Sequence, residues 1–428
     1  MTLVLRGRRV VTPDGVRPAA LHVEHGSISR IAAWEDVPSG AELTDAGESL
    51  VMPGLVDSHV HVNEPGRAEW EGFATATRAA AAGGITTLCD MPLNSIPATT
   101  TVAALSAKRE AARSLSVIHV EFIGGVVPGN AAELLPLCDA GVCAFKCFLS
   151  PSGVPEFSHV SESDLRQAFP SLERTGLTLM VHAEDPALLA SGSPSRSYAA
   201  YLATHPVAAE QSAIALLIRL LEWCPVPVHI VHLSSAGSLP LIRSARERGL
   251  PLSVETCPHY LSFAAESITD GATEYKCAPP IRSGAERDAL WDALIAGDLD
   301  LVASDHSPCP PALKGKSGDF LAAWGGIASL ELGLAAVWTG ARARAIPPER
   351  LAEWMSAAPA RLVGLGERKG VLAPGYDADI VVWDPEQRWV VDPAALRQRH
   401  PVTPYAGREL FGVVRATFSG GHLVFGRL

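Results

Sequence analysis

The sequence lacks any apolar run long enough to cross a bilayer, and it contains no cluster of basic residues. A spanning helix needs about 20 predominantly apolar residues, and every apolar run of this 428-residue chain is interrupted sooner. The 35 basic and 46 acidic residues give a formal net charge of −11. Because nucleic acids and anionic membranes attract basic surfaces, we expect neither as a partner.

Signal-peptide and disulfide patterns are also missing. The amino-terminal stretch MTLVLRGRRVV places arginines after its short apolar run and has no small-residue cleavage site. The eight cysteines form no CxxC pair and mostly lie in apolar segments, so we expect reduced thiols. The 47% hydrophobic and 19% charged content is ordinary for a globular protein. These features together predict a cytoplasmic protein.

Short strands with turns between them occupy both ends of the chain. Residues 1–50 show this pattern, and it returns in 377–385 and 411–428. Neither stretch is large enough to bury two faces of a sheet by itself. We therefore predict a small β-sandwich domain built from residues 1–50 and 370–428, with residues 51–369 inserted between them.

The inserted region alternates between two kinds of segment. Amphipathic stretches rich in alanine, leucine and arginine separate eight apolar, β-rich runs. These runs lie at about 51–60, 83–91, 116–127, 141–149, 177–184, 227–234, 252–261 and 299–306. Eight strands alternating with helices predict an α/β fold, namely a (β/α)8 TIM-type barrel.

The first run, VMPGLVDSHVHVN, ends in His59 and His61. Because side chains on a strand alternate between faces, these two imidazoles point the same way. An isolated pair of this kind could be two ordinary polar residues at a strand end. In a barrel, however, the chemistry lies at the carboxyl ends of the strands, and His182, His232 and Asp305 end the fifth, sixth and eighth runs.

The fourth run contains Lys146 between Phe145 and Cys147, where a charged ammonium would be strongly desolvated. One interpretation is a lysine that reaches out past the strand end to solvent. The other is an amine of lowered pKa that reacts with carbon dioxide to give a carbamate, which can bridge two metal ions. Asp305 ends an apolar run, where an unpaired carboxylate would be costly. A role as a metal ligand that also transfers protons would explain why Asp305 is found at this position.

The other histidines differ in the roles expected of them. His182 or His232 alone would more often be a hydrogen-bonded core residue than a ligand. His229 is three residues before His232, so on a strand it faces the opposite side, and it is expected to be structural. For His259, packing is the favoured role. His306 is expected either to support the site or to face the substrate. Two bridged metal ions would make the site hydrolytic, with an amide or related C–N bond as the target.

The motifs PGLVDSHVH, AFKCF, VHAED, IVHLSS and ASDH together resemble those of the cyclic amidohydrolases of the amidohydrolase superfamily. The resemblance implies that His59, His61 and Asp305 bind one metal and that His182 and His232 bind the other. Lys146, carboxylated by carbon dioxide, would bridge the two. Zinc is the first expectation for both divalent ions, although iron, manganese and cobalt suit the same ligands. The resemblance also implies a homo-oligomer, expected to be a tetramer.

The loops distinguish branches of this family. Dihydroorotases place an arginine where this chain has Asn63, and hydantoinases have a tyrosine soon after the bridging lysine, which FKCFLSPSGVPEF lacks. The loops most resemble the branch that opens the hydantoin ring of allantoin, giving allantoate. Ala278 departs from that branch, because a serine is expected there. The candidates for substrate contacts are Asn63, Asn94, Ala278, Arg282 and His306.

Two alternatives remain. One is a hydantoinase, dihydropyrimidinase or dihydroorotase-like enzyme with a different cyclic substrate. The other is a non-catalytic scaffold on the same fold. Scaffold members of the family usually lose metal ligands, and this chain keeps all six positions.

Overall fold

The computed structural model describes residues 3–428. The strands are, in chain order, β1 (Leu3–Thr12), β2 (Gly15–Glu24), β3 (Ser27–Ala32), β4 (Glu42–Asp45), β5 (Leu50–Pro53), β6 (Leu55–Val60), β7 (Ile85–Asp90), β8 (His119–Gly125), β9 (Ala144–Phe148), β10 (Leu179–His182), β11 (Val228–Ile230), β12 (Leu252–Thr256), β13 (Leu301–Val302), β14 (Ile380–Val390), β15 (Glu409–Ser419) and β16 (His422–Gly426).

The helices lie mainly between the strands of the middle region. They are α1 (Phe73–Ala82), α2 (Val102–Arg113), α3 (Leu134–Asp139), α4 (Glu162–Thr175), α5 (Tyr198–Ala203), α6 (Val207–Trp223), α7 (Leu239–Glu247), α8 (Pro258–Ser262), α9 (Gly284–Ala296), α10 (Pro311–Lys314), α11 (Gly333–Arg342), α12 (Arg350–Ala352) and α13 (Ala358–Leu362). Among the helices of residues 3–428, none combines the length and the apolar character that crossing a membrane requires.

The two ends of the chain form one mixed sheet. Its strand order is β16-β15-β14-β5-β1-β2-β3, with β4 paired to β1. The central strand β5 runs parallel to β1 and antiparallel to β14, which places Val51 opposite both Val10 and Val382. These three valines belong to a buried apolar cluster that is separate from the main core. The small β domain therefore draws its core from both termini, as the sequence predicted.

The strands β6 to β13 form a parallel sheet in sequential order. Its two edges meet where the backbone N–H of His61 donates to the carbonyl of His306 at 2.9 Å. Apolar residues of the strands and the flanking helices, such as Leu88, Leu105 and Leu217, share one large buried cluster. The predicted (β/α)8 TIM-type barrel is thus confirmed, and the carboxyl ends of its strands face one mouth.

The predicted strand at 51–60 is two strands in the structure. β5 belongs to the mixed sheet and β6 to the barrel, and the chain passes between them at Gly54. A Cβ at Gly54 would lie only 2.3 Å from Oγ1 of Thr86, so a side chain there would displace the barrel strand β7. We propose Gly54 as the boundary between the two domains, a few residues beyond the predicted one.

The last barrel strand is shorter than predicted. β13 covers two residues, and the chain from 303 to 306 leaves the regular ladder before it reaches the site. Asp305 has a φ of 44°, His232 has 41° and Asn63 has 69°. Such values are uncommon for residues with a side chain, and they tend to occur where a site imposes a backbone conformation. All three residues lie in irregular extensions beyond the ends of β6, β11 and β13.

Candidate metal centre and active-site cavity

Three side chains at the carboxyl ends of the first and last barrel strands, β6 and β13, lie close enough to share one ion. One ligand atom from each of His59, His61 and Asp305 can be chosen so that all three lie within 4.8 Å of one another. Oδ1 of Asp305 is 3.3 Å from Nε2 of His59 and 3.7 Å from Nε2 of His61. All three residues are buried. Two imidazoles and a carboxylate with this convergence fit a divalent metal ion.

A second pair of imidazoles lies beside the first group. Nδ1 of His182, which ends β10, is 3.0 Å from Nε2 of His232, which follows β11. The rings of His59 and His232 have centroids 5.5 Å apart, so the two groups adjoin. Phe148 stacks on His182 with ring centroids 4.6 Å apart and limits the motion of that ring. The barrel therefore gathers both predicted histidine pairs at one mouth.

Lys146 lies on β9 beside Met180 of β10 and is completely buried. Its Nζ has no hydrogen-bond partner within residues 3–428, and it lies 4.9 Å from the centroid of the Phe148 ring. Burial lowers the pKa of Lys146 to about 8, although the charges of Asp305 and Glu255 oppose this shift. The neutral amine, which is the form that attacks carbon dioxide, is therefore far more populated than in a solvated lysine.

In three of these histidines, the ring nitrogen that points away from the cavity (the outer nitrogen) contacts a carbonyl or carboxylate oxygen. Such an oxygen can only accept a hydrogen bond. Nδ1 of His59 lies 2.6 Å from Glu255, and Nδ1 of His61 lies 3.0 Å from the carbonyl of Leu93. Nε2 of His182 lies 3.0 Å from Oε2 of Glu184. Each outer nitrogen must then carry the proton, which leaves the inner nitrogen as a lone pair. This arrangement is the one that metal-binding histidines require.

Glu255, on β12, joins several of these groups. Its Oε1 also accepts the backbone N–H of His232 at 3.3 Å, and its Oε2 pairs with Nε2 of His229 at 3.0 Å. Nδ1 of His229 in turn contacts Oγ of Ser253 at 2.7 Å, so His229 is structural as predicted. Burial favours a higher pKa for Glu255, but His59 and His229 outweigh it and hold the pKa well below the usual range.

A further buried carboxylate, that of Asp57, holds the backbone around the site. Oδ1 of Asp57 accepts the N–H groups of His59 and Ser304, each at 3.2 Å, and so joins β6 to the segment that carries Asp305. Burial raises the pKa of Asp305 above its usual value, with the charges of His59 and Lys146 opposing the shift. Asp305 is therefore more ready to take a proton than a solvated aspartate.

The inner nitrogens face a cavity of about 120 Å³ at the barrel mouth. Its lining includes His59, His61, His182, His232 and Asp305. Two of the predicted substrate contacts, Asn94 and Ala278, also line it. Among the described lining residues, no lysine or arginine is present. The described lining therefore offers no fixed side-chain cation to a carboxylate.

The other three predicted contacts lie behind the cavity wall. Asn63 accepts a hydrogen bond from Nδ2 of Asn94 at 2.9 Å and is itself fully buried. Arg282 forms a buried ion pair with Glu210 at 2.7 Å. Nδ1 of His306 accepts backbone N–H groups from residues 329 and 330, and its Nε2 lies 3.4 Å from Glu71. These side chains support the wall instead of forming its surface.

The wall formed by 321–326 is held by two buried lysines. Nζ of Lys276 donates to carbonyls of Leu321 and Ala323, at 3.1 and 2.6 Å. Nζ of Lys314 donates to carbonyls at positions 276, 324 and 326. Burial lowers the pKa of each lysine to about 8. The two ammonium groups tie the segment that supplies Trp324 to the one that supplies Ala278.

A model of the amidohydrolase family matches residues 50–424. The chain belongs to the amidohydrolase family. An allantoinase of Streptomyces avermitilis is 51% identical over 426 residues, which cover 99% of this chain and 95% of that protein. An allantoinase of Saccharomyces cerevisiae is 45% identical over 434 residues, covering 97% and 94%. Among solved structures, the L-hydantoinase (dihydropyrimidinase) from Arthrobacter aurescens matches with a TM-score of 0.93 and 31% identity, covering 99% and 96%.

The cavity of this amidohydrolase has further lining residues that sequence analysis did not select. They include Ser150, Ser152, Glu184, His205, Ser307, Trp324, Gly325 and Gly326. Glu184 and Ser307 lie two residues beyond His182 and Asp305. Extending each strand end by one residue of the same parity would have selected both. His205 and Trp324 come from long connections, and no spacing in the sequence links them to the site.

Proposed function

We propose that this amidohydrolase hydrolyses the ring amide of allantoin, giving allantoate. The observation that carries the reaction class is the convergence of five histidine and aspartate side chains, with the unpartnered Lys146, at one barrel mouth. The substrate follows from the relatives named as allantoinases and from a cavity lining without a fixed cation.

The residues fit a pair of divalent ions, with zinc as the first choice and iron, manganese or cobalt as alternatives. His59, His61 and Asp305 would hold one ion, and His182 and His232 the other. Lys146 would bridge them after its amine adds to carbon dioxide and releases one proton, which yields a carbamate. Its lowered pKa and lack of any hydrogen-bond partner support this modification. When bound, the ion pair supplies Lewis acidity that activates water and polarises the scissile carbonyl.

Side chains of the protein transfer the proton and orient the substrate. Asp305 takes the proton of the attacking water and delivers it to the ring nitrogen that leaves. Its raised pKa supports this role, because a carboxylate that is too acidic would not hold the proton. Asn94 and the backbone at Ala278 are proposed to position the ring. Since Ala278 has no hydroxyl, any polar contact from that position comes from its backbone.

We also propose a homotetramer located in the cytoplasm. The tetramer rests on the resemblance to cyclic amidohydrolases, and the location rests on the composition of the chain. Light scattering of the purified protein tests the assembly, with a mass of four chains as the expected value. Fractionation of the source cells tests the location.

A substrate panel tests the function. Allantoin, hydantoin, dihydrouracil and dihydroorotate are supplied separately to the metal-loaded protein, and ring-opened products are quantified. We expect allantoin to give the highest kcat/KM. Dihydroorotate carries a carboxylate that meets no fixed cation in the lining, and we expect it to be at least about tenfold poorer. A preference for hydantoin or dihydrouracil would instead assign the chain to the hydantoinase branch. No turnover of any of the four substrates, together with little stoichiometric metal in the purified protein, would favour a scaffold.

A further inference from the structure

Glu184 is a buried carboxylate whose two oxygens have different environments. Oε2 lies 3.0 Å from Nε2 of His182. Oε1 is buried and has no hydrogen-bond partner within residues 3–428. A buried carboxylate oxygen without a donor is unfavourable, so this arrangement needs an explanation. The residue is only 1% exposed, yet it is part of the cavity lining.

A second acceptor lies on the same wall. The hydroxyl of Thr204 donates its only proton to the carbonyl of Tyr201 at 2.7 Å. It must therefore accept from Nδ1 of His205, which lies 2.8 Å away. The proton of a neutral His205 is thus on Nδ1, and Nε2 is an acceptor. Burial lowers the pKa of His205, which keeps the ring neutral at physiological pH.

The charge of Arg282 acts on Glu184 from behind the wall. Arg282 does not neutralise Glu184 directly, because its guanidinium is occupied by Glu210 and by Oγ of Ser234 at 2.8 Å. The wall therefore offers acceptors to the cavity and no competing cation.

We propose that Glu184 and His205 form an acceptor subsite for the N–H groups of the ureido tail of the substrate. This inference rests on the proposed function and deepens it. A terminal carbamoyl group has an NH2 with two protons and an adjacent N–H, so its donors match a wall of acceptors. Glu184 would then join a proposed metal ligand, His182, to the part of the substrate that distinguishes allantoin from simple hydantoin.

The test compares Glu184→Gln with the wild-type protein. The amide oxygen of glutamine can still accept from His182, but its NH2 group then faces the substrate as a donor. With metal supplied in excess, which offsets any weaker binding at His182, we expect full metal content and a rise in KM for allantoin of about ten- to a hundred-fold. His205→Phe keeps a ring but removes the acceptor, and we expect KM to rise about two- to tenfold. Hydantoin, which lacks the ureido tail, is tested as a competitive inhibitor, and its inhibition constant should change less than twofold.

Asp185→Asn is the matched control, because it also removes one carboxylate charge, at the next residue. Asp185 accepts from Ser212 at 2.6 Å and does not line the cavity. Its KM and metal content should stay at the wild-type values. The subsite is contradicted if Glu184→Gln leaves KM unchanged, if its defect tracks lost metal, or if hydantoin binding weakens in parallel. Wild-type protein that fails to open allantoin contradicts the proposed function itself, and the subsite with it.

Discussion

Glu255 accepts a hydrogen bond at 2.6 Å from Nδ1 of His59, a residue that lies 196 positions earlier in the chain. The contact forces the proton of His59 onto its outer nitrogen and leaves Nε2 free to face Asp305. A carboxylate behind a metal-binding histidine also increases the basicity of that histidine. Glu255 should therefore set the metal affinity of the site without contacting the metal itself.

We expect Glu255→Gln to lower metal affinity by about ten- to a hundred-fold, the usual effect of removing such a support. Competition with a chelator of known affinity measures it. Ser253→Ala is the control, since Ser253 contacts His229 in the same network but not His59. Equal affinities in wild type and Glu255→Gln would mean that the carboxylate has only a structural role.

Lys146→Ala should lose the bound metals and the activity while the fold persists, because the lysine contributes a reactive amine rather than packing. Metal analysis and circular dichroism measure the two properties. Lys316→Ala removes an exposed lysine and should change neither. Short-chain carboxylic acids are expected to restore part of the activity by replacing the carbamate. Retention of two metals with near-normal turnover would refute the bridging assignment.

Asp305→Asn should lower kcat by about 10² to 10⁴, the range for a lost acid–base group, while at least one metal stays bound. Steady-state kinetics with parallel metal analysis separates lost chemistry from lost metal. An unchanged kcat would place the proton transfer elsewhere. His306 is a poor substitute, because its Nδ1 is occupied by two backbone N–H groups behind the wall.

Lys314→Met should loosen the wall at 321–326, since three carbonyls lose their ammonium donor. We expect a loss of about 1–3 kcal/mol in the free energy of unfolding and a raised KM with unchanged metal content. Denaturant titration and kinetics measure these effects. Lys316→Met, two residues further along, is exposed and should behave like wild type. Normal KM and stability in Lys314→Met would show that the wall is held by other contacts.

The placement of the candidate residues at one barrel mouth could be predicted because the direction of a side chain on a strand and the cost of burying a charge follow local rules. Strand parity placed His59 and His61 on one face, and the apolar surroundings of Lys146 marked it as unusual. The partners of the outer nitrogens could not be predicted in this way. Glu255 meets His59 only after the barrel closes, and Arg282 is occupied by Glu210, which lies on α6. The division at Gly54 also depends on its close approach to Thr86, which no local pattern reveals.

The central claim is that a pair of metal ions held by this chain hydrolyses allantoin, and titration of the metal-free protein with zinc tests it most directly. Allantoate formation is measured at each added equivalent, in buffer that contains bicarbonate to supply carbon dioxide. We expect negligible activity without metal, a rise that levels off at two equivalents per chain, and no rise at all with Lys146→Ala. Full turnover of allantoin by the metal-free chain, or a plateau reached by Lys146→Ala at the wild-type level, would contradict the claim.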